Sequence, residues 1–254
     1  MNAPPGDRCG ADEAPLPVEW LASVSSTQVE LTGRARMGAG EQALVTTSQT
    51  AGHGRRGRDW VCPPGVGLAM SVLLRPARTD GWTWLPLLAG LATVGGLEQL
   101  GASGLSLKWP NDLLWADEKL GGLIAERVEA TSSASGAAFV VGIGLNLRSE
   151  GLPTGAVGAD RAGVRMSAEA VSWQVLSHLR MWVDRWEDGG DGIAEAYRAR
   201  CDTLGRRVRV ALPGGAELKG WAADIDQTGR LVVHSDHGAH VPLSAGEVVH
   251  VRRA

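Results

Sequence analysis

Residues 52–58 of the chain read "GHGRRGR" and combine three glycines, one histidine and three arginines within seven positions. Glycine weakens helices and strands, and three arginine charges this close together require contact with solvent. The segment is therefore predicted to be an exposed loop. Arginine forms paired hydrogen bonds with phosphate oxygens. The composition therefore favours an anion-binding loop, and a solvated basic loop without a ligand is the alternative that these residues alone leave open.

Two further segments place polar side chains at strand ends. The stretch "KWPNDLLW" (108–115) brings Lys108, Asn111 and Asp112 together around a Pro–Asn turn, and "EKLGGLIAE" (118–126) places Lys119 just before a glycine pair. Asn or Asp after proline is ordinary turn chemistry, and Lys119 alone is typical of a solvated loop. Neither segment identifies a site by itself.

The segment "VVGIGLNL" (140–147) is predicted to be a buried strand whose glycines allow another group to approach the backbone closely. It contains part of a dinucleotide-binding glycine pattern. No helix is predicted to follow it, however, and that pattern requires a helix whose N-terminus binds the phosphates. The dinucleotide interpretation is therefore rejected.

Lysine and asparagine are rare in this chain, where arginine supplies nearly all of the 25 basic residues. A position that retains lysine or asparagine in such a background is a candidate for needing a compact charge or a paired donor and acceptor. The six positions are Asn2, Lys108, Asn111, Lys119, Asn146 and Lys219. Three of them fall between 108 and 119, which directs attention to that stretch.

The elements that would position these residues can be read from periodicity and capping. Ser26 or Thr27 is predicted to cap a helix that ends near Gly38. Strands are predicted on both sides of the arginine-rich loop and again after a uniformly apolar helix, followed by a glycine-rich loop and two more helices. The predicted ranges are strands at 42–49, 67–76, 105–110, 121–130 and 137–148, a loop at 149–166, and helices at 84–101, 168–187 and 192–202.

The pattern changes after Gly205 to short strands of alternating polarity, which predicts a small all-β barrel of about 50 residues. The first 20 residues are rich in proline, glycine and acidic groups and are predicted to be a disordered lead-in. The expected organisation is therefore a lead-in at 1–20, a catalytic domain at 21–203 and a C-terminal barrel domain at 204–254.

Composition restricts the class of protein. A net charge of −3 over 254 residues argues against general affinity for nucleic acid. Three widely spaced cysteines fit reduced thiols better than a disulfide framework. The N-terminal residues lack a signal-peptide pattern, and no apolar run approaches the length of a membrane span. We therefore expect a cytoplasmic protein with no membrane association.

Taken together and in order, the motifs resemble those of the biotin protein ligases. That family has a GRGRRGR loop (here "GHGRRGR"), a KWPNDL turn, a KLxGIL-type strand start (here "KLGGLI") and a GIGxN strand (here "GIGLN"), and "SST" at 25–27 fits its pocket start. The resemblance runs from about Ser25 to the C-terminus. It implies an α+β fold: a central mixed β-sheet with helices, of the class II synthetase-like biotin/lipoate ligase type, plus a small C-terminal SH3-like β-barrel.

The resemblance also implies an activity. Such enzymes use ATP and Mg²⁺ to join the carboxylate of biotin to the α-phosphate, release pyrophosphate and hold biotinyl-5′-AMP. They then transfer biotin to a lysine of a biotin carboxyl carrier domain of a biotin-dependent carboxylase. The implied partners are biotin, ATP and that carrier domain, with no DNA and no membrane, and the implied assembly is a monomer or a weak dimer.

Site residues follow from the same resemblance. The implied catalytic residues are Lys119, Arg55 and Asp112, with Asp112 orienting or deprotonating the incoming amine. Biotin would be bound by Ser26, Thr27, Gln49, Gly52, His53, Gly54, Arg55, Trp60 and Lys119. ATP and the adenylate would be bound by Arg55, Arg56, Arg58, Lys108, Asn111, Lys119 and Asn146.

Several points stay open at this stage. His53 stands where the family usually has arginine, which puts a side-chain role at that position in doubt. No residue stacking on the adenine is identified, because Trp115 and Trp173 are expected to be core residues, and the metal ligands are unknown. The alternatives are a lipoate or octanoate ligase or transferase of the same fold, an inactive biotin-binding module, and a biotin-responsive repressor. Only about 24 residues precede the pocket motif, fewer than the repressor's winged-helix domain would need.

Overall fold

The computed structural model describes residues 15–60, 63–129, 137–212, 216–244 and 246–250, and for Arg56 the backbone alone. Two sheets organise the chain. The larger is a seven-stranded mixed sheet in the order β1-β2-β3-β7-β6-β5-β4, in which only β1 and β2 are parallel. Its strands are β1 (Val18–Trp20), β2 (Gln42–Thr46), β3 (Gly67–Leu74), β4 (Leu105–Lys108), β5 (Asp112–Trp115), β6 (Glu118–Val128) and β7 (Ala138–Asn146).

Helices cover both faces of this sheet. Leu44, Leu73 and Val140 point to the face covered by α1 (Thr27–Arg36), where Leu31 joins them in a buried cluster. Their strand neighbours point to the other face, which is covered by α2 (Leu85–Gln99) and α3 (Ala168–Glu187). Because β3 and β7 are apolar on both faces, they can occupy the centre of the sheet. Helix α4 (Ile193–Arg200) then leads to the second sheet.

The second sheet is antiparallel and has the order β11-β10-β9-β8-β12. Its strands are β8 (Arg207–Ala211), β9 (Glu217–Ile225), β10 (Leu231–Ser235), β11 (His240–Leu243) and β12 (Glu247–His250). Trp109 joins the two sheets, because its indole N–H donates to Gly229 O at 3.1 Å and its backbone N–H donates to Thr203 Oγ1 at 3.0 Å. Both sheets contribute to one continuous buried cluster.

The predicted mixed sheet with helices and a small C-terminal β unit is observed, and α3 has the predicted bounds. Three features differ. Val18–Trp20 lies in the predicted lead-in but forms β1, because it pairs with β2, while residues 1–14 lie outside the described part of the chain. The predicted turn at 108–115 contains β5, which pairs with both β4 and β6. The last predicted strand is two strands, β11 and β12, at opposite edges of their sheet.

No helix in the described ranges is long and apolar enough to cross a membrane.

Candidate active site

One cavity lies against the start of α1 and the middle of β3, β6 and β7, and it is bordered by the loop that follows β2 and by the start of β12. It gathers most of the residues that the sequence predicted for the site. Those that line it are Ser26, Thr27, Gln49, His53, Gly54, Arg55, Arg58, Trp60, Lys108, Asn111, Asp112 and Lys119. Gly52 and Asn146 do not line it, and nothing is described of the Arg56 side chain.

The most buried part of the cavity is formed where α1 begins. Ser26 caps the helix by accepting a hydrogen bond from the Val29 N–H at 3.4 Å, as its position in the sequence predicted. The Thr27 N–H donates to Gln49 Oε1 at 2.9 Å, and Thr27 Oγ1 lies 3.2 Å from the same oxygen. These contacts orient the Gln49 amide, because its oxygen must face the donating backbone N–H.

Two residues of this region were not predicted. Gln28 and Ser71 line the cavity beside Thr27, and both are buried. The sequence did carry a signal for Ser71, since it is a polar residue within "GLAMSVLL", a strand that is otherwise apolar on both faces. We call Thr27, Gln28, Gln49 and Ser71 the buried end of the cavity.

The loop at residues 52–60, which we call the arginine loop, folds back on itself. The Gly54 N–H donates to Arg58 O at 2.7 Å and the Trp60 N–H donates to Gly52 O at 2.8 Å. A Cβ on Gly52 would overlap the Gln49 amide, which explains why glycine is needed there. Gly52 therefore allows the arginine loop to pack directly against Gln49, although Gly52 does not line the cavity.

Side chains of the arginine loop reach other elements. Arg55 donates from Nη1 to Asn111 Oδ1 at 2.9 Å, so the loop contacts the turn after β4. Arg58 forms an ion pair with Glu247 at the start of β12, so the loop also contacts the second sheet. His53 pairs through its backbone with Asp59. Arg55 and Arg58, two of the predicted phosphate-binding arginines, thus have polar partners on different elements.

Lys119 and Asp112 meet in the cavity. The Lys119 Nζ atom lies 2.7 Å from Asp112 Oδ1 and 5.8 Å from the centre of the Trp60 ring. Trp60 in turn lies flat against β7, where a Cβ on Gly144 would overlap the indole. The close approach predicted for the glycines of this strand is therefore made by Trp60.

Asn146 lies behind the cavity wall and does not line the cavity. It is buried, and its Nδ2 donates to the carbonyl oxygens of Lys119 at 3.3 Å and Val157 at 3.2 Å. Asn146 thereby fixes the backbone at Lys119. Trp115 donates from its indole N–H to Ser103 O, and Trp173 is half-buried on α3, so neither indole lines the cavity.

His250 lies near Lys108 and adds no positive charge to it at neutral pH. Burial lowers the pKa of His250 from its usual value, and the neighbouring Lys108 and Arg206 cations lower it further. The imidazole is therefore neutral at pH 7, and Nε2 lies 3.3 Å from Thr203 Oγ1. No cluster of three or more His, Cys, Asp or Glu side chains suited to a metal ion occurs among the described residues.

Two family models match the chain. Residues 20–146 match the biotin/lipoate A/B protein ligase family, and residues 203–251 match the biotin protein ligase C-terminal domain. The biotin–[acetyl-CoA-carboxylase] ligase of Mycobacterium tuberculosis is 35% identical over 253 residues, covering 96% of this chain and 92% of that protein. The bifunctional ligase/repressor BirA of Escherichia coli is 30% identical over 256 residues, covering 96% of this chain and 75% of that protein.

The fold is also similar to a solved structure. The biotin protein ligase from Aquifex aeolicus, in complex with biotin and ATP, superimposes with a TM-score of 0.78 at 25% identity. The match covers 93% of this chain and 99% of that chain.

Proposed function

The chain belongs to the biotin/lipoate A/B protein ligase family, and from this premise we propose that it activates biotin with ATP and joins it to a lysine of a carboxylase. The resemblance to biotin protein ligases that four short motifs indicated is confirmed, and so is the fold class. We also propose that residues 21–203 form the catalytic domain and residues 204–254 the C-terminal domain, in keeping with the two sheets.

The observation that carries this proposal is that one cavity contains both a polar buried end and a set of cations. Thr27 and Gln49 offer hydrogen bonds suited to the ureido ring of biotin. Lys119 and Arg55 line the same cavity, together with Arg58, and can bind a carboxylate and phosphates. A substrate with a polar ring at one end and a carboxylate at the other matches this arrangement.

In the first step, a carboxylate oxygen of biotin attacks the α-phosphorus of ATP, and the bond to pyrophosphate breaks. Two anions must approach each other, so fixed cations are needed to offset their repulsion. We assign Lys119 to the carboxylate and the bridging oxygen, and Arg55 with Arg58 to the phosphates. Lys108, Asn111, Arg56 and the buried Asn146 complete the proposed nucleotide site.

Magnesium enters this step as part of the nucleotide substrate. Mg²⁺ is usually held by one or two carboxylates together with substrate phosphates. The described residues fit that role better than a dedicated metal site, since they contain no cluster of three metal-binding side chains. Asp112 is one of three carboxylates that line the cavity, with Asp59 and Glu247, and it contacts Lys119.

In the second step, the amine of the acceptor lysine attacks the carbonyl carbon of biotinyl-5′-AMP. An amide bond forms, the bond to AMP breaks, and the nitrogen loses a proton. A lysine amine has an unperturbed pKa of about 10.4 and is mostly charged at neutral pH. We propose that Asp112 orients this amine and accepts its proton, while Trp60 with His53 and Gly54 covers the bound adenylate.

Of the alternative functions, the lipoate or octanoate enzyme and the repressor are not favoured. A lipoyl or octanoyl chain offers no N–H group to the polar buried end, and residues 203–251 match a domain of biotin protein ligases. The repressor alternative rests on the bifunctional relative, of which the alignment covers 75%. The Mycobacterium tuberculosis ligase is matched over 92% of its length at higher identity.

The deciding experiment is exchange of labelled pyrophosphate into ATP by the purified protein with Mg²⁺. We expect exchange when biotin is supplied and none with lipoate or octanoate. Exchange that depends on lipoate or octanoate, with biotin inert, would replace the proposed substrate and leave the family assignment intact.

A further inference from the structure

Behind the buried end of the cavity, hydrogen bonds continue into the sheet as a chain. Ser71 Oγ lies 2.9 Å from Thr27 Oγ1 and 3.2 Å from Gln28 Oε1. The amide nitrogen of Gln28 lies 3.1 Å from Glu126 Oε2 and 3.1 Å from Val140 O. The chain therefore runs from Glu126, through two buried side chains, to Thr27 at the cavity wall.

In this chain of hydrogen bonds, the Gln28 amide can donate and accept in only one orientation. Both neighbours of its Nε2 are oxygen acceptors, one from a carboxylate and one from a backbone carbonyl, so Nε2 must donate to both. A flipped amide would place Oε1 against two acceptors. Gly142 makes this position possible, because a Cβ there would come within 2.7 Å of Gln28 Oε1.

The direction of Ser71 follows from that of Gln28. Gln28 Oε1 has no hydrogen, is buried, and has Ser71 as its donor. Ser71 has a single hydroxyl hydrogen, and a buried oxygen without a donor is costly. The Ser71 hydrogen therefore points to Gln28. We assign the Thr27 hydrogen to Ser71 Oγ, because that contact is 2.9 Å long and the one to Gln49 Oε1, which already accepts from the Thr27 N–H, is 3.2 Å long.

This assignment determines what Thr27 presents to the cavity. Because the Thr27 hydrogen points to Ser71, only lone pairs of Thr27 Oγ1 face Gln49 Oε1. That oxygen lies 3.2 Å away and is itself an acceptor. Two acceptors this close have no hydrogen between them in the protein. A ligand N–H can supply that hydrogen.

We propose that Gln28, Ser71 and Glu126 are positioning residues that set the Thr27 hydroxyl as an acceptor, so that the site selects a ring bearing an N–H donor, such as a cyclic urea. The proposal rests on the proposed function, since it concerns how the biotin ring is recognised. In the opposite direction, with Ser71 donating to Thr27, the Thr27 hydrogen would fill the position that the ligand hydrogen requires.

The test compares biotin with its two analogues in which one ring N–H is replaced by an oxygen atom, which turns a donor into an acceptor without adding bulk. In the unchanged protein we expect one analogue to bind about a hundredfold more weakly than biotin, as measured by calorimetry. In Gln28→Met, Ser71 is free to donate to Thr27, and Thr27 can then donate to the ring oxygen. We expect the penalty for that analogue to fall by about tenfold or more.

Ser71→Ala provides a second variant, because it removes the acceptor that holds the Thr27 hydrogen, and a drop in the same penalty is expected. Ser172→Ala is the matched control, since the buried Ser172 hydroxyl bonds to Glu169 O on α3 and does not line the cavity. The control should keep the full penalty.

Two results would overturn the proposal. One is an unchanged penalty in a folded Gln28→Met or Ser71→Ala protein, which would show that these residues only support packing. The other needs no variant: equal binding of biotin and both analogues by the unchanged protein would show that no N–H is selected. Absence of any biotin binding would instead contradict the proposed function.

Discussion

The buried end of the cavity and the arginine loop differ in burial and in what their polar groups contact. Thr27 and Ser71 are 2% and 0% exposed, and their hydroxyls contact each other and neighbouring amides. In the arginine loop, the Arg58 side chain is 62% exposed and is paired with Glu247. At the cavity wall, Lys119 is paired with Asp112.

This difference indicates two modes of recognition in one cavity. Polar groups at the buried end are already held by hydrogen bonds within the protein, so we expect the binding of a neutral ring to change their arrangement little. Two of the cations, Arg58 and Lys119, are paired with carboxylates, and we propose that phosphate or carboxylate oxygens of the ligand replace these partners. Because exposed ion pairs contribute only about 0–1 kcal/mol, a ligand can exchange them at little cost.

The largest effect is expected from Thr27→Val, which keeps the shape of the side chain and removes its hydroxyl. The variant loses the proposed contact with the ring and leaves Ser71 Oγ without its donor, so biotin affinity should fall about a hundredfold. The KM for ATP should not change, because the nucleotide is bound elsewhere in the cavity. Thr93→Val is the matched control, since its buried hydroxyl bonds within α2 to Ala89 O. A loss below about threefold would show that the buried end does not recognise biotin.

The next effect is expected from Arg55→Gly. The variant removes a charge that we propose binds the adenylate, and a charge-assisted hydrogen bond contributes about 1.5–3 kcal/mol. Biotinyl-5′-AMP should therefore dissociate roughly ten- to a hundredfold faster, while adenylate formation slows. Released anhydride should then label bystander proteins such as albumin.

The dissociation rate of the adenylate decides this prediction. Arg55→Lys, which keeps a charge without the planar fork, should give an intermediate rate. If Arg55→Gly retains the adenylate as long as the unchanged protein does, the arginine loop is not what holds it.

Lys119→Arg tests whether a compact charge is needed beside Asp112. The planar guanidinium should fit poorly between carboxylate and phosphate, so adenylation should fall at least about tenfold, or about 1.4 kcal/mol at the transition state. Lys219 lies on the second sheet and is paired with Glu217, so Lys219→Arg is the conservative control and should leave the rate of adenylation unchanged. Near-normal pyrophosphate exchange by Lys119→Arg would show that adenylation does not need a compact charge at Lys119.

The smallest effect is expected from Glu247→Gln, which breaks the ion pair between the arginine loop and β12. An exposed pair contributes about 0–1 kcal/mol, so the KM for ATP should change by less than about fivefold. The change should shrink as salt is raised from low ionic strength, because screening already weakens the pair in the unchanged protein. A loss of more than about tenfold would mean that Glu247 acts on the nucleotide directly.

The sequence predicted the cationic part of the site better than the buried part. The arginine loop, Lys119 and Asp112 stand in short motifs, and they meet in the cavity as expected. Gln28, Ser71 and Glu126 were missed because their roles depend on pairing between α1 and three strands, with partners up to 112 positions apart. Glu247 was missed because an alternating strand gives no sign of which exposed side chain faces another sheet.

Local capping and periodicity predicted most of the fold. The N-cap at Ser26 and the amphipathic stripe of α3 are properties of neighbouring residues, and both were placed correctly. Strand β1 has only three residues and exists through its pairing with β2, and β5 has four, so neither could be recognised by alternation. The bonds from Asn146 to Lys119 O and Val157 O could not be predicted, because they depend on pairing between Lys119 and Ala156, and the role of Asn146 in binding the nucleotide stays a prediction.

Hydrogen exchange of backbone amides, with and without biotin and ATP, tests the contrast between the two ends most directly. The amides to compare are those of Thr27, Gln28, Gln49 and Ser71 at the buried end and those of residues 52–60 in the arginine loop. When the adenylate forms, exchange in the loop should slow by at least about tenfold, and exchange at the buried end should change by less than about twofold. Equal slowing at both ends, or no slowing in the loop, would contradict a cavity with one preformed end and one that orders on its ligand.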